Sequence, residues 1–599
     1  MEIKLIKDIS IGGKKISYIM GFTLEQRFNA HHYFELRFNH DLLGKPGLIE
    51  LDDSRSMIGQ IITASFGYTT GNQQKFSGIV TNVDLSQSHG YHGVLIVSGY
   101  SPTILIDRGP DLGSFYKKTL SSIALAATKE VPKNDLRMVL NPERKKPIEY
   151  ALQYRESDFE FLNRLSGEYL EWFFYDGIQL NLGKPSSLKE IRMVYGRDIQ
   201  NLRYGISLAP ISANRFTYDP VKNELLQAKG VVSITGRPDL VHAANASAKV
   251  YSKNYNQSSS VELSNSAELK QLAENQVRAD MDKLLKISGE ADNPELGIGT
   301  IADISMSVKQ ANAFAAKSLG KFLITAVIHQ IDVEGRYSNK FEGIASTAER
   351  IVNTTFSYPA ADMILADVFD NADPLGQGRV RVKFKWPDKN IDPTAWLRVI
   401  TPDAGKSDKV PKNRGFVFVP EIGDQVIVGF EEGNISRPIV MGSIFHGQNG
   451  IGGSRNNDQK SMSSKSGHTI NMDDSGGMLI KDKTDLNVIA FDGKNAIEIT
   501  ADNNITLQTG KVMIVLDKKN DKIILQAGNI EIRAAEDFTV TGDGAPAKAG
   551  KMQFAESFNV SVKEKLSLLA NASVKLEGKH ISIKGGETVV EGSPVKINS

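Results

Sequence analysis

From Ile497 onward the chain repeats a short alternating motif with apolar ends: Ile497-Glu498-Ile499, Ile505-Thr506-Leu507, Met513-Ile514-Val515, Ile523-Ile524-Leu525, Ile530-Glu531-Ile532 and Phe538-Thr539-Val540. The motif returns as Phe558-Asn559-Val560, Leu566-Ser567-Leu568, Val574-Lys575-Leu576, Ile581-Ser582-Ile583 and Val595-Lys596-Ile597. Alternation of period two predicts half-buried strands, and Gly510, Gly528, Gly578, Gly585, Gly586 and Gly592 mark the bends between them. Two inward aliphatic side chains, worth about 1.5–3 kcal/mol each when buried, cannot be covered by a strand standing alone. The array must therefore stack, either as a single-chain solenoid or as three identical chains wound into one prism. About 16 layers at roughly 4.8 Å would give the trimeric form a length of about 75 Å. Residues 542–556, around GDGAPAKAGKMQFAE, interrupt the period and predict a loop or bulged layer.

Upstream the pattern changes. Ser157-Asp158-Phe159-Glu160 is a capping box, and it opens an amphipathic helix through Phe161, Leu162 and Leu165. A strand from Tyr169 to Tyr175 is expected next. A packing helix is expected from Ser266 to Leu285, with Leu269, Leu272, Val277, Met281, Leu284 and Leu285 on one face. Within residues 361–447 the segments VRVKFKW, WLRVI, FVFVP, QVIVGF and PIVMGSIF read as five short strands, the count of a small OB-type barrel.

Composition sharpens this division. Of 46 aromatic residues only Phe491, Phe538, Phe554 and Phe558 lie beyond position 460, so the interior of the repeat array must be aliphatic and narrow. A chain of 599 residues implies about four domains. Its 71 basic and 70 acidic residues leave a net charge of +1, which removes the electrostatic case for a nucleic-acid partner. The absence of cysteine excludes disulfides, thiolate metal sites and cysteine nucleophiles. Charges at Glu2, Lys4, Lys7 and Asp8 break the apolar run that a secretory signal needs, and no segment approaches the roughly 20 apolar residues of a membrane span. The expectation is synthesis in the cytoplasm and, on export, a route that bypasses signal peptides.

No catalytic constellation emerges. The histidines His31, His32, His40, His89, His92, His242, His329, His446, His468 and His580 contain no HExxH arrangement, and adjacent His31 and His32 in a strand would point to opposite faces. Walker, G-x-S-x-G and G-x-G-x-x-G signatures are absent. Asp370, Asn371 and Asp373 resemble the start of a calcium loop, but Pro374 and the missing twelfth-position glutamate favour a turn. No catalytic residue, metal ligand or cofactor is assigned.

The stretch ADVFDNADPLGQGRVRVKFKWPDKN, followed by AWLRVITPDAGK and GFVFVPEIGDQVIVGFEEGNISRPIVMGSIFHGQN, resembles the OB core of the VgrG proteins, the spikes of type VI secretion systems. The positions that carry the resemblance include Asp373-Pro374, Gly378-Arg379-Val380, Trp396, Arg398-Val399, Pro420, Gly423-Asp424, Val426, Phe430, Gly433, Arg437-Pro438 and Gly442. QYRESDFEFLNRLSGEYLEWFFYDG and GKFLITAVIHQIDVEGRYSNKFEGI resemble the hub of the same family, and the second makes His329 a hub position rather than a ligand. The family places a trimeric β-helix needle where the strand array lies.

The resemblance implies a mainly β protein with some α: a hub of two β-barrels over residues 1–360, an OB-fold at 361–447, a linker at 448–464 and a needle at 465–599 formed by a homotrimer. It implies a hexameric, Hcp-like tube protein at the base, a PAAR-repeat protein at the tip, and effectors, adaptors and baseplate proteins as further partners. Contact with the target membrane would be transient, and the spike would be secreted after assembly. The short linker leaves no room for an inserted enzyme, and the end of the sequence after Val595-Lys596-Ile597 leads us to expect no effector domain there. Pro594, Val595, Lys596, Ile597, Asn598 and Ser599 are the expected docking surface for the tip protein. The alternatives are the spike of an extracellular contractile particle or phage tail, and a polysaccharide-degrading enzyme on a single-chain β-helix.

Overall fold

The computed structural model describes residues 5–39, 54–69, 71–87, 93–233, 237–263, 265–310, 313–387, 391–450, 454–541 and 551–596. They divide into two compact units, Met1–Thr484 with Ile489–Glu498, and Asp485–Val488 with Ile499–Ser599. No helix among the described residues is long and apolar enough to cross a membrane.

The first unit is organised by a 13-stranded sheet. Six of its strands close into a barrel, in the order Ile301–Gln310, Glu190–Tyr195, Ile199–Ile206, Leu285–Ala291, Tyr337–Ala345 and Ala313–Ile331, the last pairing back to the first. The 19-residue strand Ala313–Ile331 also pairs with Ile19–Arg27, from Ala326 opposite Arg27 to Ile331 opposite Phe22. Through that pairing the sheet continues over Tyr33–Asn39, Gly93–Tyr100, Gln74–Gln87, Ile61–Tyr68 and Leu5–Ile11. Each half wraps its own core: Met193, Ile304, Phe322 and Val327 fill the closed barrel, and Phe34, Leu36, Phe66 and Val97 fill the other half.

The capping-box helix runs from Asp158 to Tyr169, with the Ser157 hydroxyl and the Glu160 carboxylate both taking backbone amides. It is longer than the sequence pattern implies. Tyr169 belongs to the helix, Leu170 turns the chain with φ 58°, and the strand expected from Tyr169 covers only Phe173–Tyr175. A similar correction applies to the second helix, which ends at Asp280, with a 3-10 turn over Met281–Lys283. Leu284 and Leu285 stay buried, but they pack as the entry to the strand Leu285–Ala291 in the barrel core. Burial alone satisfies the helical spacing there, so the apolar run is compatible with either element.

Residues 364–443 form a four-stranded sheet in the order Arg381–Phe384, Ile364–Asp370, Gln425–Phe430 and Pro438–Ser443, all antiparallel. WLRVI contributes only single bridges, Val380 to Leu397 and Val399 to Val440. FVFVP is not a barrel strand at all: Phe416, Val417 and Phe418 lie on an exposed hairpin. The missing strand is Ile364–Asp370, whose buried residues Ala366 and Val368 are too few and small to stand out in sequence. The core of this domain is shared with the hub, because Tyr150, Leu152 and Tyr154 pack among Val382, Phe384, Val426, Val428 and Val440. Ser114 Oγ donates to the Asp392 carbonyl (2.8 Å) and Tyr116 N–H to its carboxylate (3.1 Å), fixing the same junction.

In the tail, Gln459–Ser463, Thr469–Asp473, Met478–Lys481, Val488–Phe491 and Ile497–Thr500 form one sheet. Asn504–Thr509, Val512–Asp517 and Lys522–Gln526 form an antiparallel three-stranded one. Beyond Gln526 the described residues contain no strand. The predicted triplets there are exposed instead, from Ile530 and Ile532 to Ile581 and Ile583. The physical reason is pairing: a strand exists only where a second strand meets it, and one chain supplies none there. Of the expected irregular stretch, residues 542–550 lie outside the described residues.

Candidate functional site: assembly surfaces and buried polar groups

The three-stranded tail sheet shows what the array presents. Its register places Leu507, Ile514 and Leu525 directly opposite one another, and Ile505, Leu516 and Ile523 in the next row. All six lie on one face, and Leu507, Ile514, Leu516, Ile523 and Leu525 are 41–70% exposed. The triplet Met513-Ile514-Val515 sits one residue out of the expected phase: Ile514, not its two neighbours, joins the face of Leu507 and Leu525, since a one-residue shift exchanges the faces of a strand. An aliphatic face of this size left open to water is the mark of an interaction surface.

The turns of the tail are fixed by aspartates. Asp473 accepts the Ser475 amide (2.9 Å) and hydroxyl (2.7 Å), Asp492 accepts the Lys494 and Ala496 amides, and Asp517 accepts the Asn520 amide and side chain. Those bonds hold each carboxyl below its ordinary range, chiefly through Ser475, Ala496 and Asn520 respectively. A carboxyl with a depressed folded pKa contributes stability above its unfolded value of about 3.9 and loses it as pH falls below that value. Hydrogen exchange should therefore show the Ser475, Lys494 and Asn520 amides protected at pH 6, with protection lost, after correction for intrinsic rates, towards pH 3. Unchanged protection at pH 3 would remove the aspartates from this role.

Of the expected tip residues, Pro594, Val595 and Lys596 are exposed and outside any strand. Ile597, Asn598 and Ser599 lie outside the described residues.

The hub interior carries a directed polar chain. Asn339 Nδ2 donates to Tyr337 OH (2.9 Å), Tyr337 OH to His329 Nδ1 (2.6 Å), His329 Nε2 to Gln26 Oε1 (3.2 Å), and Gln26 Nε2 to His32 Nδ1 (3.1 Å). Burial pulls both histidines down to about 3, so the chain is neutral and its directions are consistent throughout. His31 diverges from His32: its Nδ1 meets Thr103 Oγ1 (2.7 Å) and its Nε2 meets Asp107 (3.0 Å). Both histidines precede the strand that starts at Tyr33, rather than lying in it.

Thr103, His31 and Asp107 have the order of a hydroxyl–imidazole–carboxylate triad, and a cavity of about 490 Å³ opens beside them. The geometry does not serve nucleophilic attack, because Thr103 is completely buried and its oxygen also bonds Ser101 Oγ (2.7 Å). Burial lowers the His31 pKa against the opposing pull of Asp107. Among the described residues no three His, Asp or Glu are placed to hold a metal ion; His40, His89 and His92 lie outside them. Asp373, the centre of the calcium-like stretch, instead accepts the Arg379 guanidinium (2.7 and 3.0 Å) and the Leu375, Gln377 and Arg379 amides, which hold it well below the usual carboxylate range.

A closed barrel that continues into a second half of the same sheet is thus joined through a common core to an OB-type sheet. The profile of the phage tail baseplate hub family matches residues 41–334, and that of the type VI secretion system/phage-baseplate injector OB domain matches residues 364–445. These profiles and the relatives below make the chain similar to VgrG-like spike proteins. It is similar to the type VI secretion system spike protein VgrG4b of Pseudomonas aeruginosa, 25% identical over 354 residues that cover 51% of this chain and 40% of that one. VgrG1a of the same organism is 28% identical over 141 residues, 22% of this chain and 20% of the relative. These matches therefore span well under two thirds of either relative's length. The Francisella PdpA–VgrG complex, in its lidded form, shares the fold with a TM-score of 0.52 at 10% identity, covering 84% of this chain and 80% of that one. The family profiles and these two relatives are those of structural spike and hub proteins.

Proposed function

We propose that this protein is the structural spike of a type VI secretion system: three copies form a piercing needle above a hub that rests on the hexameric tube. The observation that carries this reading is the aliphatic face of the tail sheet, with Leu507, Ile514 and Leu525 open to water in a single chain. Three copies would bury such faces against one another. Gln459–Ser463, Thr469–Asp473 and Met478–Lys481 pair antiparallel in turn, as do Asn504–Thr509, Val512–Asp517 and Lys522–Gln526, which argues against the parallel coils of a solenoid enzyme. The four-part division at residues 360, 447 and 464 belongs to this proposal, as do export, effector carriage and a PAAR-type cap.

Sedimentation or native mass spectrometry of the full chain tests it directly: the expected species has three times the single-chain mass of 65.7 kDa. A species at the single-chain mass at micromolar concentration would overturn it. The spike of a phage tail or extracellular particle is supported by the same hub and OB profiles; it would be recovered outside intact producer cells within particles. For the tip, deletion of Pro594–Ser599 is expected to abolish pull-down of a PAAR-repeat protein while leaving the trimeric mass intact. Undiminished capture would place the cap elsewhere.

A further inference from the structure

The cavity of about 490 Å³ beside His31 lies between the first turn of the helix Asp158–Tyr169 and residues 355–359, which belong to the segment joining hub and OB sheet. Small-molecule pockets usually measure about 300–1,000 Å³. The joining segment is fastened in place. Thr355 Oγ1 donates to the Asn29 carbonyl (3.1 Å), Asn353 Nδ2 to Asn163 Oδ1 (2.8 Å), and the Arg155 guanidinium to the Asp362 carboxylate (2.8 Å). Phe356 lies against Gly167, where an added Cβ would meet its ring. The walls are thus formed before any ligand arrives, which lowers the cost of binding.

Charge sorts the ligand. The charged side chains that line the cavity are Asp107, Arg155, Glu156 and Glu160. Arg155 is neutralised by Asp362, and Glu156 by Arg164, which bonds both of its oxygens. Asp107 and Glu160 have no Lys or Arg partner among the described residues. Asp107 Oδ2 meets His31 Nε2 (3.0 Å) and Glu160 Oε2 accepts the Ser157 amide (2.9 Å), which leaves Asp107 Oδ1 and Glu160 Oε1 for a ligand. Arg108, next to Asp107 in sequence, turns to Glu130 and Asp158 instead. Burial lowers the His31 pKa while Asp107 and Glu160 both oppose it, so the two carboxylates act on one neutral ring.

Much of the remaining wall is aromatic. Phe159 lies against the His31 ring (centroids 3.8 Å apart), and Phe356 meets Tyr358 edge to face (5.2 Å). Ring faces attract organic cations, and carboxylates form charge-assisted hydrogen bonds with their N–H groups. An anion would meet two uncompensated carboxylates, and no three His, Asp or Glu among the described residues are placed to hold a metal ion. We propose that this cavity binds an organic cation, a guanidinium or primary ammonium group held by Asp107 and Glu160 beside the rings of Phe159, Phe356 and Tyr358. The site is complete in one chain and does not depend on the trimeric reading.

Isothermal titration of the full chain with butylguanidinium tests it, with butylurea as the neutral analogue of the same shape. Butylguanidinium is expected to saturate one site per chain and to bind at least tenfold tighter than butylurea. Asp107→Asn and Glu160→Gln each remove a charge while keeping an oxygen for His31 or for the Ser157 amide. Each should weaken butylguanidinium at least tenfold, and the two together should abolish its binding. Equal affinity for butylguanidinium and butylurea would overturn the proposal, as would a double variant that binds like the parent. The first comparison uses the parent chain alone, so it holds even where a variant fails to fold. Acetyl-Gly-Arg-Gly-amide separates the sources: tighter binding than butylguanidinium would support a side chain offered by a partner protein, and the reverse order a free small cation.

Discussion

Ile514→Asp is expected to dissociate the proposed trimer into single chains of 65.7 kDa. Ile514 sits in the middle row of the tail sheet, flanked by Leu507 on one strand and Leu525 on the other. In an assembled needle the substitution would bury one carboxylate per chain in an aliphatic layer. Burying an unpaired charge costs about 3–5 kcal/mol, and three like charges in one layer would bring the total to roughly 9–15 kcal/mol per trimer. That is several orders of magnitude in the association constant. Ile514→Val removes one methylene, at about 1 kcal/mol per chain, and should leave the mass unchanged. Should Ile514→Asp sediment like the parent chain, the tail face is not where the copies meet.

The second large effect is expected inside the hub. Arg164 is 1% exposed and bonds both oxygens of Glu156 (2.7 and 2.9 Å), Glu168 (2.9 Å) and the Leu152 carbonyl (2.7 Å). Two carboxylates on one helix and its neighbouring strand are thus buried around a single cation, and burial alone already pushes Glu168 up. Arg164→Met preserves the apolar stem but leaves both carboxylates uncompensated, at an expected cost of about 3–5 kcal/mol by chemical denaturation. Arg164→Lys should recover only part of that, because an ammonium lacks the planar fork that spans Glu156. The triple variant Arg164→Met, Glu156→Gln, Glu168→Gln should regain most of the loss. A triple variant no more stable than Arg164→Met would show that packing, rather than the stranded charges, sets the cost.

The sequence is most legible where a local bond pattern and a hydrophobic period coincide. Ser157 and Glu160 announce their helix because each satisfies a backbone amide three residues away, a purely local arrangement. The repeat beyond Ile497 announces a one-sided aliphatic face, but not its phase at Met513–Val515, where every residue is apolar and alternation carries no information. FVFVP misleads for a related reason. A run of apolar residues reads as interior whatever surrounds it, so Phe416 and Phe418 look like core positions while standing in the open. The polar chain from Asn339 to His32 is not legible, since its members come from separate regions of the sequence and meet only through sheet pairing. The tip residues give no local signal beyond their position.

Exchange of modules between relatives would be constrained by the way the OB sheet completes its interior. Tyr150, Leu152 and Tyr154 come from a strand of the hub, far upstream of Ile364, yet they fill the space beneath Val382 and Val428. A block transplanted as residues 361–447 alone would arrive with a hole where those rings belong. Viable chimaeras should instead carry the hairpin of Asp111–Lys118 and Ile148–Glu156 along with the block, so breakpoints that look natural along the chain are the wrong ones in space. Under the proposed spike function, the same joint would carry thrust from hub to OB domain through interlocked side chains as well as through the chain itself.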